Sequence, residues 1–218
     1  MSFKTVIFDL DGTLLDTLTD LANAVNYALK VCGYPLHTTE EIRSYVGNGI
    51  KNLIKRAMPS DKCENEQEFD VCFKEFCGYY DKNMYVCTKQ YDGIINLLEK
   101  LKKNGIKVAI VSNKADFAVK KLAAHFFDGL LDAAVGAREG LRLKPYSDTL
   151  DAALSEMNTS MEDAVYVGDS EVDIKTAANA GIPCISVTWG FKDREFLIEN
   201  GAECIVSDVE ELFCKIFS

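Results

Sequence analysis

The chain has 218 residues, is 48% hydrophobic and 27% charged, and carries a formal net charge of −10. That length suits one large domain or a core with a small insert, and it can bury a core without disulfides or a structural metal. The acidic balance argues against nucleic acid as a partner, because a binding face is usually basic, but it leaves room for a small anionic substrate held by local charge in a cleft. Residues 4–9 form an apolar run that reads as a buried strand and ends in Asp9-Leu10-Asp11-Gly12-Thr13. The pleat puts Asp9 and Asp11 on the same side of that strand's C-terminal end.

From about residue 15 to 82 the pattern turns helical. Leu18, Leu21, Ala22, Val25, Ala28 and Leu29 follow i, i+3, i+4, i+7 spacing. Gly33-Tyr34-Pro35 breaks this helix. A second begins near Thr38, where Thr39-Glu40-Glu41 offers a start signal. Gly47-Asn48-Gly49 interrupts it, residues 50–58 resume, and residues 66–81 add a further helix. No strong strand falls in this region, so residues 16–81 read as an all-helical insert.

From Tyr91 onward strands and helices alternate. The expected helices are Ile94–Lys103, Phe117–His125, Tyr146–Met157 and Glu171–Ala180. The expected strands are Lys107–Val111, Ala133–Val135, Ala164–Val167 and Cys184–Val187. Such alternation predicts an α/β fold, a doubly wound parallel sheet with helices on both faces, built from residues 1–15 and 82–218. No internal repeat or low-complexity segment is evident.

Several chemistries lack support. None of the eight cysteines pairs at C-x-x-C spacing or lies beside a histidine, so a zinc site is not indicated. The two histidines, His37 and His125, flank no candidate nucleophilic serine, which disfavours a Ser-His-Asp hydrolase. The N-terminus has no signal-peptide pattern, and no apolar run approaches the ~20 residues of a membrane span. We therefore expect a cytoplasmic protein with reduced cysteines and no membrane partner.

Three expected strands end in polar residues of one chemical theme. The first gives Asp9 and Asp11, the second Ser112-Asn113-Lys114, and the third Gly168-Asp169-Ser170-Glu171-Val172-Asp173. Lys144-Pro145 lies in a loop between the second and third. Singly, each has a plain structural meaning: a turn at Asp11-Gly12, helix caps at Ser112 and Asp169, a surface lysine at Lys144, a solvated helix residue at Asp173. Together they put acids, hydroxyl and base at one edge of a parallel sheet, where ligands bind.

Phosphoryl transfer explains the set. Phosphate-monoester hydrolysis is extremely slow without a catalyst. An aspartate, ionised near pH 7, needs no base to activate it as a nucleophile, and an aspartyl-phosphate splits one hard step into two. Asp9, Asp169 and a phosphoryl dianion bring roughly four negative charges. A Mg²⁺ and Lys144 supply about three positive ones, and N–H groups and hydroxyls can offset the rest.

This constellation resembles the haloacid dehalogenase-like hydrolase superfamily over nearly the whole chain, through Asp9-Leu10-Asp11-Gly12-Thr13, Ser112-Asn113, Lys144-Pro145 and Gly168-Asp169-Ser170-x-x-Asp173. A second aspartate at Asp11 marks the phosphatase branch, not the dehalogenases. The resemblance implies that Asp9 is the nucleophile and a Mg²⁺ ligand. It implies that Asp11 is the general acid/base, with its backbone carbonyl reaching the metal, and that Thr13 steadies the segment after the first strand. Ser112 and Asn113 would bind phosphoryl oxygens, Lys144 would neutralise charge on Asp9 and the phosphate, Asp169 would bind Mg²⁺, and Asp173 would orient the metal shell. The helical insert is similar to the family's small cap. Gly47-Asn48-Gly49, Tyr91-Asp92-Gly93 and Thr188-Trp189-Gly190 resemble phosphoglycolate phosphatases, which would make Gly47, Asn48 and Gly49 substrate-binding. Lys51 and Lys55 could face a substrate carboxylate or simply form a solvated face. Ser147 and Gln90 stand where the family commonly has proline.

The leading expectation is a Mg²⁺-dependent phosphatase, monomeric or homodimeric, acting on a small phosphorylated metabolite, with 2-phosphoglycolate favoured. Two other classes stay open on the sequence alone. One is a β-phosphoglucomutase-type phosphotransferase. The other is a non-enzymatic phosphoacceptor domain like a response-regulator receiver, although receivers are shorter and place the phosphoacceptor on the third strand.

Overall fold

The computed structural model describes residues 3–217. In chain order, β1 (Thr5–Phe8) and β2 (Leu15–Asp16) precede helices α1 (Leu18–Cys32), α2 (Thr39–Tyr45), α3 (Ile50–Ala57), α4 (Ser60–Cys63) and α5 (Glu66–Asn83). After β3 (Lys89–Gln90) come α6 (Ile94–Lys103), β4 (Lys107–Ala115), α7 (Asp116–Phe126), β5 (Ala133–Ala137) and α8 (Asp148–Met157). They are followed by β6 (Ala164–Gly168), α9 (Glu171–Ala180), β7 (Cys184–Val187), α10 (Arg194–Glu199), β8 (Cys204–Val206) and α11 (Val209–Phe217). The chain divides into two compact units, Met1–Asp16 with Gln90–Ser218, and Thr17–Lys89.

The first unit holds a six-stranded sheet in the order β5-β4-β1-β6-β7-β8. Every pairing in it is parallel. Its central strands are buried throughout, with Val6, Ile7, Phe8, Val165, Tyr166 and Val167 fully inaccessible. This is the signature of a sheet covered on both faces. On one face Ile7, Ala109 and Val111 pack with Leu150 and Leu154 of α8. A side chain of this kind contributes about 1.5–3 kcal/mol when fully buried. The chain runs outward from β1 to β4 and β5, then returns to the other flank of β1 for β6, β7 and β8. The direction of winding therefore reverses around β1, the place where open α/β sheets bind ligands. Phe8 pairs with Ile110 on one side and Val167 on the other, so Asp9, Val111 and Gly168 stand at one level.

The expected strands and helices of this unit are present, with informative shifts. β4 runs on to Ala115 instead of ending at Val111, because Ala115 still pairs with Ala137 of β5 after a register shift. Ser112, Asn113 and Lys114 are thus buried strand residues, not loop residues. The helix expected from Tyr146 starts at Asp148. Beyond residue 187 the chain adds α10, β8 and α11, which extend the sheet by one edge strand.

The second unit is all helical except for its last residue, which begins β3. α1 buries Leu18, Leu21, Ala22, Val25, Ala28 and Leu29, the expected stripe. It stops at Gly33, whose φ of 75° is the left-handed conformation that glycine adopts without strain. Thr38 opens α2 with a reciprocal capping box to Glu41. The unit's interior includes Ile42, Leu53, Ile54, Phe76 and Met84. It extends to Lys89, past the 81 read from periodicity. The cause is Asp20, buried in the first turn of α1. Its carboxylate accepts from the N–H groups of Cys87 and Thr88 at 2.8–3.0 Å and from the Thr88 hydroxyl at 2.8 Å.

Candidate active site

Asp9 follows β1 directly, and its N–H donates to the carbonyl of Val167 at 2.9 Å. This bond fixes it beside the end of β6. Asp169 follows β6 and is buried. Its Oδ1 accepts from the Thr13 hydroxyl at 3.0 Å and its Oδ2 from the Phe191 N–H at 2.7 Å. Trp189 Nε1 donates to the carbonyl of Thr13 at 3.1 Å, tying the segment after β7 to the turn after β1. Gly12 is required here on two counts. Its φ is +86°, and a Cβ would overlap the Asp169 carboxylate. A Cβ at Gly168 would likewise collide with the Asp173 side chain.

Lys144 is the hub of the site. Its Nζ lies 2.9 Å from Asp9 Oδ1, 2.7 Å from Asp173 Oδ1 and 3.1 Å from the Tyr166 hydroxyl. Tyr166 in turn donates to the carbonyl of Val111 at 3.1 Å. The other Asp173 oxygen accepts from the Ser170 N–H at 3.1 Å and the Ser170 hydroxyl at 2.6 Å. Asp173 is therefore committed to Lys144 and to the start of α9. The lysine backbone is clamped as well: Asn113 Oδ1 accepts from the Lys144 N–H at 2.7 Å, and Asn113 Nδ2 donates to the Lys144 carbonyl at 3.0 Å. The Lys144–Pro145 bond is cis. Ser112 is buried on β4, where its hydroxyl accepts from the Lys114 N–H at 3.3 Å.

The structure thus gathers Asp9, Asn113 and Asp173 on Lys144, brings the Thr13–Asp169 pair beside them, and joins Asp11 to Ser112 through Lys114. Gly47, Asn48 and Gly49 belong to the other unit, between α2 and α3, where the Asn48 carbonyl accepts from Asn52 Nδ2 at 2.8 Å. Lys51 and Lys55 are exposed on α3, and Lys55 Nζ sits 5.7 Å from the Phe69 ring centroid. Sequence reasoning gives no role to Tyr166 or Lys114. Lys114 Nζ lies 3.0 and 3.1 Å from the two oxygens of Asp11. A lysine continuing an otherwise buried strand was the available signal.

Burial and crowding shape the charges of the site. Burial pushes Asp9 up to about 7, with Asp173 and Asp11 adding repulsion and Lys144 opposing it. Burial also raises Asp169 well above the usual carboxylate range, assisted by Asp173 and Asp9 and resisted by the bonds from Phe191 and Thr13. Burial disfavours the Lys144 ammonium, but Asp173 and Asp9 outweigh it and keep the lysine charged. Asp9 and Asp173 therefore share one lysine, with the Asp169 carboxylate close beside them. Oxygens of Asp9, Asp169 and Asp173 lie within 4.8 Å of one another. A cluster of hard oxygen donors with excess negative charge is the chemistry that accommodates a hard divalent cation.

Comparison with known proteins gives the same picture. The haloacid dehalogenase-like hydrolase family matches residues 6–187. A phosphoglycolate phosphatase of Nitrosospira multiformis is 34% identical over 215 residues, covering 97% of this chain and 94% of that one. A phosphoglycolate phosphatase of Haemophilus influenzae is 31% identical, with 96% of each chain covered. A crystal structure from Lactobacillus delbrueckii subsp. bulgaricus superposes with a TM-score of 0.95 at 33% identity, covering 100% of both chains. Among the described residues no helix is long and apolar enough to cross a membrane. Sequence, fold and relatives agree: the chain belongs to the haloacid dehalogenase-like hydrolases, in their phosphoglycolate phosphatase-like branch, and is a phosphoric monoester hydrolase.

Proposed function

We propose that this protein is a Mg²⁺-dependent phosphatase that works through an aspartyl-phosphate on Asp9, with 2-phosphoglycolate as the favoured substrate. The observation that carries the reading is the buried cluster of Asp9, Asp169 and Asp173, with Lys144 paired to Asp9 and Asp173. The phosphoglycolate phosphatases of Nitrosospira multiformis and Haemophilus influenzae support the substrate.

The carboxylates of Asp9 and Asp169 and the backbone carbonyl of Asp11 would hold the Mg²⁺, which supplies positive charge for the phosphoryl oxygens and for the ionised form of Asp9. The remaining chemistry falls to the chain. An Asp9 oxygen attacks phosphorus as the bond to the leaving oxygen breaks, and Asp11 gives that oxygen a proton. Water then attacks the phosphorus of the aspartyl-phosphate. Asp11 takes the water proton, and the bond to Asp9 breaks to release inorganic phosphate. Lys144, held by Asp173, Tyr166 and the Asn113 clamp, offsets charge on Asp9 and the phosphoryl group. The Ser112 hydroxyl and the Asn113 N–H serve as phosphoryl donors, since the Asn113 side chain is engaged by Lys144. Thr13 orients Asp169. We assign the Thr17–Lys89 unit the role of a cap, with Gly47, Asn48 and Gly49 reading the substrate beyond its phosphoryl group.

The test is phosphate release from a panel holding 2-phosphoglycolate, hexose phosphates, nucleotides and pyrophosphate, with Mg²⁺ and then with excess chelator. The reading expects chelator-sensitive release concentrated on 2-phosphoglycolate. Release that persists in chelator removes the metal from the mechanism, and a different dominant substrate replaces 2-phosphoglycolate.

A further inference from the structure

Lys114 and Asp11 form a further buried ion pair at the site. The Lys114 side chain is 1% exposed and that of Asp11 14%. Taking a lysine out of water is unfavourable unless an anion meets it with good geometry. Here the ammonium sits almost equidistant from both oxygens, at 3.0 and 3.1 Å. That arrangement engages both oxygens of the carboxylate at once.

The root of the lysine is equally constrained. Its N–H donates to the Ser112 hydroxyl on the same strand. The backbone of β5 presses against its carbonyl at Gly136, where a Cβ would come within 2.6 Å of the Lys114 oxygen. The backbone around Asp11 is held by the turn itself: the Gly12 N–H reaches the Leu15 carbonyl at 2.9 Å, and the N–H groups of Thr13, Leu14 and Leu15 all reach the Leu10 carbonyl at 3.0–3.3 Å. Those bonds hold the backbone of the turn; an anchor on the Asp11 oxygens themselves is a separate contact. The end of β4 provides it across 103 residues of sequence.

We propose that Lys114 is a positioning residue for the hydrolysis: it holds the Asp11 carboxylate in the orientation from which it serves the leaving-group oxygen and then the attacking water. The inference rests on the phosphatase reading above. The ammonium meets both oxygens of the ionised carboxylate; when one oxygen carries the proton it gives up that contact and the other keeps it, the proton being first given to the departing oxygen and later taken from water. Proton transfer by a positioned side chain contributes about 10²–10⁴-fold, so loss of orientation should remove much of that factor and leave attack by Asp9 intact.

The test compares wild type with Lys114→Met, which keeps length and removes charge, on p-nitrophenyl phosphate and an alkyl phosphate. p-Nitrophenolate leaves without a proton; an alkoxide does not. For Lys114→Met the proposal expects kcat/KM to fall about 100-fold on the alkyl ester and less than about 5-fold on p-nitrophenyl phosphate. It also expects a burst of one p-nitrophenol per enzyme, because hydrolysis of the aspartyl-phosphate becomes the slow step. Lys114→Arg, which retains a charged anchor, should recover most of the alkyl-ester rate, and it carries the test if the Met variant does not fold. An equal loss on both esters without a burst, or no loss on either, or an Arg variant as slow as Lys114→Met, overturns the positioning role while leaving the phosphatase reading in place. A wild type inactive on every ester overturns both.

Discussion

The two units treat a buried carboxylate in opposite ways. In the helical unit Asp20 is met by two peptide N–H groups and a hydroxyl, with no lysine or arginine among these partners. In the α/β unit Asp9, Asp169 and Asp173 crowd one another, Asp9 and Asp173 share Lys144, and burial lifts Asp9 and Asp169 above the ordinary carboxylate range. Asp20 is met by neutral donors alone among the partners named, whereas the second arrangement concentrates negative charge that a cation would offset. Buried charge is therefore informative through its partners, not its burial alone.

The sharpest way to break the comparison is Asp9→Asn. Turnover should fall by at least about 10⁴-fold, because the amide is a poor nucleophile. The metal-free protein should melt at a higher temperature at pH 8, because one crowded charge is gone. Retained activity would remove Asp9 as the nucleophile, and a lower melting temperature would remove it as a crowded charge. Asp169→Ala comes next. We expect the Mg²⁺ concentration for half-maximal activity to rise at least about tenfold; an unchanged requirement places the ligand elsewhere.

Asp20→Ala should behave differently. It leaves two N–H groups without their acceptor and should destabilise the protein by about 2 kcal/mol in denaturant unfolding, with the Mg²⁺ requirement unmoved. A shifted metal requirement in that variant would blur the distinction between the units.

The smallest effect concerns pH. Between the unfolded carboxylate pKa of about 4 and the Asp9 value of about 7, the native state binds more protons than the unfolded one. Stability of the metal-free protein therefore falls as pH rises through that window and levels off above it. Melting curves should show this part of the pH slope reduced in Asp9→Asn, and Mg²⁺ should raise the melting temperature by more at pH 8 than at pH 5. Equal Mg²⁺ shifts at both values would contradict the cause assigned to the raised Asp9.

Much of the architecture was legible because apolar runs that end abruptly in Asp, Ser or Gly leave few alternatives to strands of a parallel sheet. Asp9, Asp169 and Asp173 could be grouped from the sequence because each lies at or just past such an ending. The parts that escaped depend on distance along the chain. Ser112, Asn113 and Lys114 look like a loop, since their polarity hides a strand that β5 continues to pair. Nothing near Lys114 points to Asp11, and nothing near Tyr166 points to Lys144. The clamp between Asn113 and the Lys144 backbone is equally invisible, because it joins a strand end to a loop 31 residues away. α10, β8 and α11 follow Thr188-Trp189-Gly190, whereas the alternation expected from the sequence ends at Val187.

The central claim is that Asp9 carries the phosphoryl group. Enzyme turning over substrate with Mg²⁺ should be quenched in acid, digested and mapped by mass spectrometry, with Asp9→Asn treated in parallel. The account predicts a phosphoryl group on the peptide containing Asp9, absent from the variant and absent when chelator is added first. A phosphoryl group on another residue, or rapid turnover with no phosphorylated peptide at any quench time, would contradict it.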